Sequence, residues 1–167
     1  PIEQLTGLRS IPNLKVFRPA DINETFECWE AALKNETGPS AIILSRQKWR
    51  YINQKLDEEN KSLLGGYELK ITSHDSKVTL IASGSEVELA IDGQDELKNL
   101  GIESKVVSMP CQELFDAQPD DYKEKIIEKN NLIVWLEAGN SLSWSKYLKE
   151  NDISVGINSY GKSAPYK

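Results

Sequence analysis

Polar side chains that could do chemistry follow three short apolar runs of the sequence. Arg46 comes soon after the run at 41–44, the segment SGSE at 83–86 follows a second run, and Glu137 ends a third. Ligands of open α/β sheets gather at the carboxyl ends of the strands. If the three runs are parallel strands, these side chains are the first candidates for a binding or catalytic site.

Arg46 carries a planar guanidinium whose fork of N–H donors matches a phosphate or a carboxylate. An arginine at a strand end could therefore bind a phosphorylated ligand. By residue type alone, a surface or inter-domain ion pair is the commoner role of such an arginine. This alternative stays open.

The other two strand ends have weaker signals. Backbone N–H groups at the helix start in 83–86 could hold an anion, but Glu86 and Glu88 already place negative charge there, which favours a simple capped turn. Glu137 could act as a general acid or base. Because no histidine or second carboxylate is predictably beside it, a helix-start or interface carboxylate is the favoured interpretation.

Histidine and cysteine provide no further candidates. The single histidine, His74, lies in the polar stretch TSHDSK and is expected to be solvated. Cys28 and Cys111 lack the spacing of metal ligands and are expected to be reduced, partly buried thiols. The sequence contains no G-x-S-x-G, Walker A, H-E-x-x-H or C-x-x-C motif. These residue types and motifs therefore point to no metal ligand and no catalytic nucleophile.

The composition is typical of a soluble globular protein, since 39% of the 167 residues are hydrophobic and 28% are charged. The 26 acidic and 20 basic residues give a net charge of -6, and an acidic surface repels nucleic acid and anionic lipid. No partner of either kind is expected. The net negative charge is still compatible with a local basic pocket that binds one phosphate. No run approaches the roughly 20 apolar residues of a membrane span, and no N-terminal signal pattern is present, so the expected location is cytoplasmic.

Hydrophobic patterns predict strands that alternate with helices. The three main apolar runs are continuous and rich in β-branched residues, which is typical of parallel strands covered on both faces. Strands are predicted at 15–17, 41–44, 78–82, 104–107, 132–136 and 155–157. Helices are predicted at 21–35, 85–100, 119–129 and 141–150. Two capping boxes, Asp21 with Glu24 and Ser85 with Glu88, mark the starts of the first two helices.

This alternation predicts an α/β fold with parallel or mostly parallel sheets and helices on both faces. Residues 1–50 hold only two predicted strands and one helix, so we expect an incomplete domain whose sheet continues in sequence before Pro1. The polar stretch 51–76 is predicted to be a linker. Residues 77–167 form the second predicted domain, which ends in a turn-rich segment and is expected to be truncated.

Several segments together resemble transketolases, and RPAD at 18–21 and LSRQ at 44–47 are the most specific of them. The resemblance covers essentially the whole chain. It is carried by PIEQLTGLRSIPNLKVFRPAD at 1–21, GPSAIILSRQ at 38–47, GGYEL at 65–69, IASGSEVELA at 81–90, VVSMPCQELFDAQ at 106–118, LEAG at 136–139 and YGKSAP at 160–165. After Arg46 the chain reads QKWRY where the family commonly reads Q-N-L-P, a departure that does not touch the arginine.

The resemblance implies a fold like that of the transketolase C-terminal domain. Residues 1–50 correspond to the end of a pyrimidine-binding domain, and 77–167 correspond to most of the C-terminal domain. Transketolases of the pentose phosphate pathway transfer a two-carbon ketol unit from a ketose phosphate to an aldose phosphate. They use thiamine diphosphate with Mg²⁺ or Ca²⁺, and they are homodimers with active sites between subunits.

The resemblance assigns one functional residue to this chain. Arg46 matches the arginine that binds the sugar-phosphate group, whereas the metal ligands, the cofactor-activating glutamate and the catalytic histidines of the family belong upstream. The isolated chain is therefore expected to be inactive and to bind no cofactor. A stand-alone regulatory or subunit-association module is one alternative. A split enzyme, whose partner chain carries the cofactor domain, is another.

Overall fold

Two sheets carry the fold. The computed structural model describes residues 2–45, 50–52 and 59–160, and the strands of these residues form a sheet of two strands and a sheet of five. All strand pairs are parallel except one pair at the edge of the larger sheet. The predicted α/β class with mostly parallel sheets is confirmed.

The smaller sheet is a β-α-β unit preceded by a short helix. Its elements in chain order are α1 (Gln4–Arg9), β1 (Lys15–Phe17), α2 (Ile22–Leu33) and β2 (Ser40–Ile42). β1 and β2 pair in parallel, with Val16 beside Ala41. The side chains of β2 are half-buried rather than buried, because among the described strands β2 has a neighbour on one side only.

The larger sheet has the strand order β3-β5-β4-β6-β7. Its strands are β3 (Tyr67–Ile71), β4 (Val78–Ala82), β5 (Ser104–Ser108), β6 (Leu132–Leu136) and β7 (Ile153–Val155). β4 and β6 lie where they are predicted. The prediction of a strand at 155–157 is wrong by two residues, because β6 pairs with Ile153–Val155 and the backbone N–H of Ile157 donates instead to the carbonyl of Gly139 at 2.8 Å.

β3 corrects the interpretation of 51–76 as a linker. This strand pairs antiparallel with β5 at the edge of the larger sheet, and a 3-10 turn at Lys61–Leu64 precedes it. An edge strand tolerates polar residues such as Glu68 and Lys70, so it lacks the continuous apolar run by which the central strands are predicted. Part of the polar stretch therefore belongs to the sheet.

The helices that alternate with the strands of the larger sheet are α3 (Glu86–Asn99), α4 (Gln112–Asp116) and α5 (Asp120–Ile126). α3 ends close to its predicted end at residue 100, and Gly101 closes it with a φ of +75° in the left-handed region. The helix predicted at 141–150 is wrong, since the chain forms only a 3-10 turn at Ser141–Trp144 there. The Ser145 hydroxyl donates to the carbonyl of Leu142 at 2.9 Å, and such local bonds favour turns over helix.

The two predicted capping boxes have different outcomes. Asp21 accepts a hydrogen bond from the backbone N–H of Glu24 at 2.9 Å and caps α2 as predicted. The Glu24 carboxylate, however, turns inward and accepts from the backbone N–H of Ala20 at 2.6 Å. Ser85 makes no cap bond because its hydroxyl donates to the Glu86 carboxylate, so the second box is wrong.

Alternate residues of the larger sheet build two hydrophobic clusters, one on each face. One cluster joins the strands to α4, α5 and the 3-10 turn, through Ile81, Val107, Met109, Phe115, Ile126, Ile133, Trp135 and Trp144. The other joins them to α3, through Leu80, Ala82, Val87, Ala90 and Val106. Helices on both faces are therefore confirmed for this sheet.

α2 leaves an apolar stripe uncovered in the described part of the chain. Phe26, Trp29 and Leu33 recur at helical spacing, yet their exposed fractions are 62%, 51% and 77%. The buried face of the helix carries Glu24 and Cys28 instead. The periodicity thus marks a surface of this chain rather than its core, and exposed apolar patches of this kind commonly meet other protein.

Candidate functional site

The carboxyl ends of strands from both sheets meet at one place. β1 continues into Arg18, β4 into Ser83 and β6 into Glu137. Arg18 donates to the Ser83 carbonyl at 2.9 Å, and the Ser83 hydroxyl donates to the Glu137 carboxylate at 2.5 Å. Two of the predicted strand-end positions, 83–86 and Glu137, are therefore brought together.

Arg46, the predicted phosphate-binding residue, lies outside the described residues. The described chain reaches Ser45, the residue before it, and Ser45 lines a cavity of about 190 Å³ beside the strand ends. The walls of this cavity are Arg18, Pro19, Ile43, Leu44, Ser45, Gly84 and Ser85. The role of Arg46 stays a prediction.

Glu137 is a buried carboxylate whose two oxygens are both hydrogen-bonded. Arg9 donates to it in a bidentate pair at 2.7 and 2.8 Å, and the Trp144 indole N–H donates at 2.9 Å. Together with the Ser83 hydroxyl, these donors occupy the lone pairs that a general base would need. The interface-carboxylate interpretation of Glu137 is confirmed.

The charges around Glu137 keep it ionised. Burial opposes the charged carboxylate, but the hydrogen bonds and charge of Arg9, with the charge of Arg18 at 3.6 Å, hold the pKa of Glu137 below its ordinary value. The side chain is only 1% exposed, so solvent does little to screen these pairs. Glu137 therefore acts as the fixed negative centre between two arginines.

Arg18 bridges Glu137 to the start of α3. One nitrogen, Nη1, contacts the Ser83 hydroxyl at 3.1 Å and forms a short ion pair with Glu86, while Nη2 donates to the Ser85 hydroxyl at 3.3 Å. Glu86 also accepts from the backbone N–H of Ala138 at 2.9 Å. The result is a charge-neutral group of two arginines and two glutamates, which we call the buried charge network (Arg9, Arg18, Glu86 and Glu137).

Gly84 lets the Arg18 side chain lie against the β4–α3 turn. Its φ is +57°, and a Cβ at this position would meet Arg18 Cγ at 2.8 Å. Both the backbone conformation and the space therefore require glycine.

Sequence reasoning does not identify Arg9 and Arg18 as the charged partners of Glu137. Arg18 directly follows β1, so the strand-end rule that selects Arg46 could also have selected it. Arg9 lies at the end of α1, and no local signal points from there to Glu137, which is 128 residues away.

A second buried carboxylate, Glu24, joins α2 to the larger sheet. It accepts hydrogen bonds from the Tyr67 hydroxyl at 2.7 Å and from the Ser108 hydroxyl, in addition to the Ala20 backbone. Burial raises the pKa of Glu24 to about 7 against the effect of these donors. No cation is among its hydrogen-bond partners in the described chain, in contrast to Glu137.

The remaining candidates are His74 and the two cysteines. His74 is exposed, as predicted. Cys28 and Cys111 are free and fully buried rather than partly buried, and burial raises the pKa of both thiols well above the ordinary value. Such thiols are poor nucleophiles.

The described ranges offer no cluster of three or more His, Cys, Asp or Glu side chains arranged to hold a metal ion. Within the same ranges, none of the helices has the length and apolar character needed to cross a membrane.

Two family models match the chain one after the other. The model described as Transketolase, pyrimidine binding domain matches residues 1–51, and the model described as Transketolase-like TK C-terminal domain matches residues 65–167. The second match starts before β3 and includes the whole larger sheet.

Curated and solved relatives agree with these matches. A transketolase of Aquifex aeolicus is 43% identical over 167 residues, which cover 99% of this chain and 24% of that protein. A mutant transketolase of Pichia stipitis, solved in complex with fructose 6-phosphate, superimposes with a TM-score of 0.87 at 34% identity, covering 96% of this chain and 23% of that one. A transketolase of Campylobacter jejuni gives a TM-score of 0.85 at 40% identity, covering 98% and 24%. The chain thus spans about a quarter of the length of these relatives.

Proposed function

Because the chain belongs to the transketolase family, we propose that it is the C-terminal part of a transketolase. The parent enzyme transfers a two-carbon ketol unit from a ketose phosphate to an aldose phosphate in the cytoplasm, as a step of the pentose phosphate pathway. The observation that carries this proposal is the match of two successive transketolase domains to residues 1–51 and 65–167. The solved relative with bound fructose 6-phosphate supports sugar phosphates as the ligands.

Arg46 is the proposed contact to the phosphate group of these sugars. It is the next residue in sequence after Ser45, which lines the cavity beside the strand ends, and it closes the strand-forming segment GPSAIILSRQ. In an acidic protein, a guanidinium at this position provides local selectivity for phosphate, which is the group common to donor and acceptor sugars.

Replacing Arg46 by alanine in the full-length enzyme is expected to raise KM for phosphorylated sugars about tenfold to a hundredfold. Loss of one charge-assisted hydrogen-bonded contact costs roughly 1.5–3 kcal/mol. Steady-state kinetics with a ketose phosphate and an aldose phosphate measure this. The matched control is Arg50→Ala, because Arg50 is 56% exposed and pairs with Glu88 and Asp92 at the surface. An unchanged KM in Arg46→Ala would contradict the assignment of Arg46 as the phosphate contact.

The thiamine diphosphate and divalent cation of the parent enzyme, Mg²⁺ or Ca²⁺, are proposed to bind outside this chain. The described residues present no ligand cluster for the cation, and no family motif for the cofactor maps onto the chain. We therefore assign no catalytic, cofactor-binding or metal-binding residue here.

The isolated chain is expected to show no transketolase activity and no tight binding of thiamine diphosphate. Isothermal titration calorimetry with the cofactor and Mg²⁺ tests this, and the full-length enzyme in the same buffer is the control. A saturable heat of binding to the isolated chain, or turnover of a ketose phosphate by it, would contradict this part of the proposal.

We propose that the parent enzyme is a homodimer, and the exposed stripe of α2 supports contacts beyond this chain. Phe26, Trp29 and Leu33 form an uncovered apolar surface of the kind that other protein usually buries. The alternative of a stand-alone module predicts a monomer that unfolds cooperatively and binds a small ligand by itself. The intact mass of the natural protein decides between the two, because the main proposal requires a longer polypeptide.

A further inference from the structure

The buried charge network joins the end of β1 to the start of α3, beside the cavity that Ser45 lines. We infer that Arg18 and Glu86 are positioning residues, which fix the strand end that leads to Arg46 and so tune recognition of the substrate phosphate. This inference rests on the proposed function of Arg46. It concerns residues other than the proposed contact itself, and these residues belong to both family domains, Arg18 to one and Glu86 to the other.

Backbone hydrogen bonds first tie the end of β1 to the larger sheet. The N–H of Arg18 donates to the Pro110 carbonyl at 2.7 Å, just beyond β5, and the Arg18 carbonyl accepts from Gly84 at 2.9 Å, just beyond β4. The end of β1 is therefore held between the exits of two strands of the C-terminal domain.

The end of β2 then depends on the end of β1. The N–H of Ile43 donates to the Phe17 carbonyl at 2.8 Å, which extends the β1–β2 ladder beyond β2 itself. Ile43 and Ser45 line one side of the 190 Å³ cavity, and Arg18 and Ser85 also line it. A displaced Arg18 side chain would therefore reshape the cavity that Ser45, the residue before Arg46, also lines.

Charge holds the Arg18 side chain in this place. Arg18 and Glu86 are each only 8% exposed, and their ion pair is surrounded by the Ser83, Ser85 and Glu137 contacts. If Glu86 loses its charge, the guanidinium keeps one carboxylate, Glu137, which Arg9 already engages in a bidentate pair. The positive charge of the guanidinium would then lack a full partner, and the side chain would move towards solvent. Because Arg18 lines the cavity, this movement would change the cavity's shape.

The test uses the full-length enzyme with Glu86→Gln, which preserves side-chain size and removes the charge. We expect KM for an aldose phosphate to rise about tenfold, as for a weakened hydrogen bond to a charged group, with kcat within about twofold. KM for the same aldose without its phosphate should not change, because phosphate recognition alone is affected. Ser83→Ala, which removes one Arg18 contact and one hydrogen bond to Glu137 but leaves every charge in place, is a milder second variant with an expected rise of about threefold.

The matched control is Glu128→Gln. Glu128 pairs with the buried Lys105 near the amino end of β5. This pair therefore lies at the opposite end of the parallel strands from the buried charge network. This variant should destabilise the same domain without changing KM for either aldose. Thermal unfolding monitored by circular dichroism checks that each variant is folded. If Glu86→Gln does not fold, Ser83→Ala tests the positioning role instead.

Equal changes in KM for the phosphorylated and unphosphorylated aldose, or no change in either, would overturn the positioning role. Arg46→Ala, assayed alongside, distinguishes failure of the positioning role from failure of the proposed phosphate contact. If it raises KM for the aldose phosphate while Glu86→Gln and Ser83→Ala do not, only the positioning role is lost. If it leaves KM unchanged, the proposed function of Arg46 fails, and the positioning role fails with it.

Discussion

Replacing Glu137 by alanine is expected to lower the free energy of unfolding of the chain by about 3–5 kcal/mol, the typical cost of breaking a buried ion pair from one side. The carboxylate is 1% exposed and accepts from Arg9, Ser83 and Trp144. Its removal leaves the buried Arg9 and Arg18 with one carboxylate between them, that of Glu86. Urea unfolding at pH 7, followed by tryptophan fluorescence and far-UV circular dichroism, measures the loss.

Glu124→Ala is the control for this experiment. Glu124 pairs with Lys129 at the surface, where the two side chains are 58% and 71% exposed, and such pairs contribute about 0–1 kcal/mol. A loss in Glu137→Ala no larger than that in Glu124→Ala would show that the buried charge network contributes little to the fold.

Glu24 is expected to make the chain less stable as the pH rises from about 5 to above 7. Burial raises its pKa to about 7 in the folded state, from an ordinary value of 4.5. Below the ordinary value, the carboxyl group is protonated in both the folded and the unfolded chain, so its contribution to stability is fully present. Between the two values the unfolded chain releases the proton and the folded chain retains it, so stability falls by about 3 kcal/mol in total.

The measurement is the difference in unfolding free energy between the parent chain and Glu24→Gln across pH 5–8.5. The glutamine is neutral throughout, so the parent chain should lose stability relative to the variant as the pH rises, whatever constant offset the altered hydrogen bonds add. Glu30→Gln on the same helix is the control. Glu30 is exposed and its hydrogen bond with Lys34 holds its pKa below the ordinary value, so its difference should stay flat above pH 6. A flat difference for Glu24→Gln would contradict the raised pKa.

The two carboxylates show how partners decide the effect of burial. Glu137 and Glu24 are both buried and each accepts at least three hydrogen bonds. The two arginines beside Glu137 hold its pKa below the ordinary value, whereas Glu24 accepts from hydroxyl and amide groups and burial raises its pKa to about 7. Hydrogen bonds from neutral donors do not offset the loss of solvation here, but full positive charges do.

Local sequence was sufficient to predict the central strands and the family. Parallel strands covered on both faces are mostly apolar along their length, and β4 and β6 appear in the sequence as near-continuous apolar runs with their observed bounds. The capping residue of α2 and the glycine that closes α3 are also local signals. The transketolase resemblance, which depends on motif wording and order, is confirmed by the family matches. It also leads to Arg46, whose role remains a prediction.

Only the tertiary structure decided which polar groups meet. The edge strand β3 and the 3-10 turn at Ser141–Trp144 escape local patterns, because pairing on one side and packing around an indole impose no distinct periodicity. Glu137 looked like a possible acid or base by its position alone, and its pairing with Arg9 depends on a contact across 128 residues. An ion pair forms wherever the fold brings charges within a few ångströms, and the sequence separation of the partners carries no information about that distance.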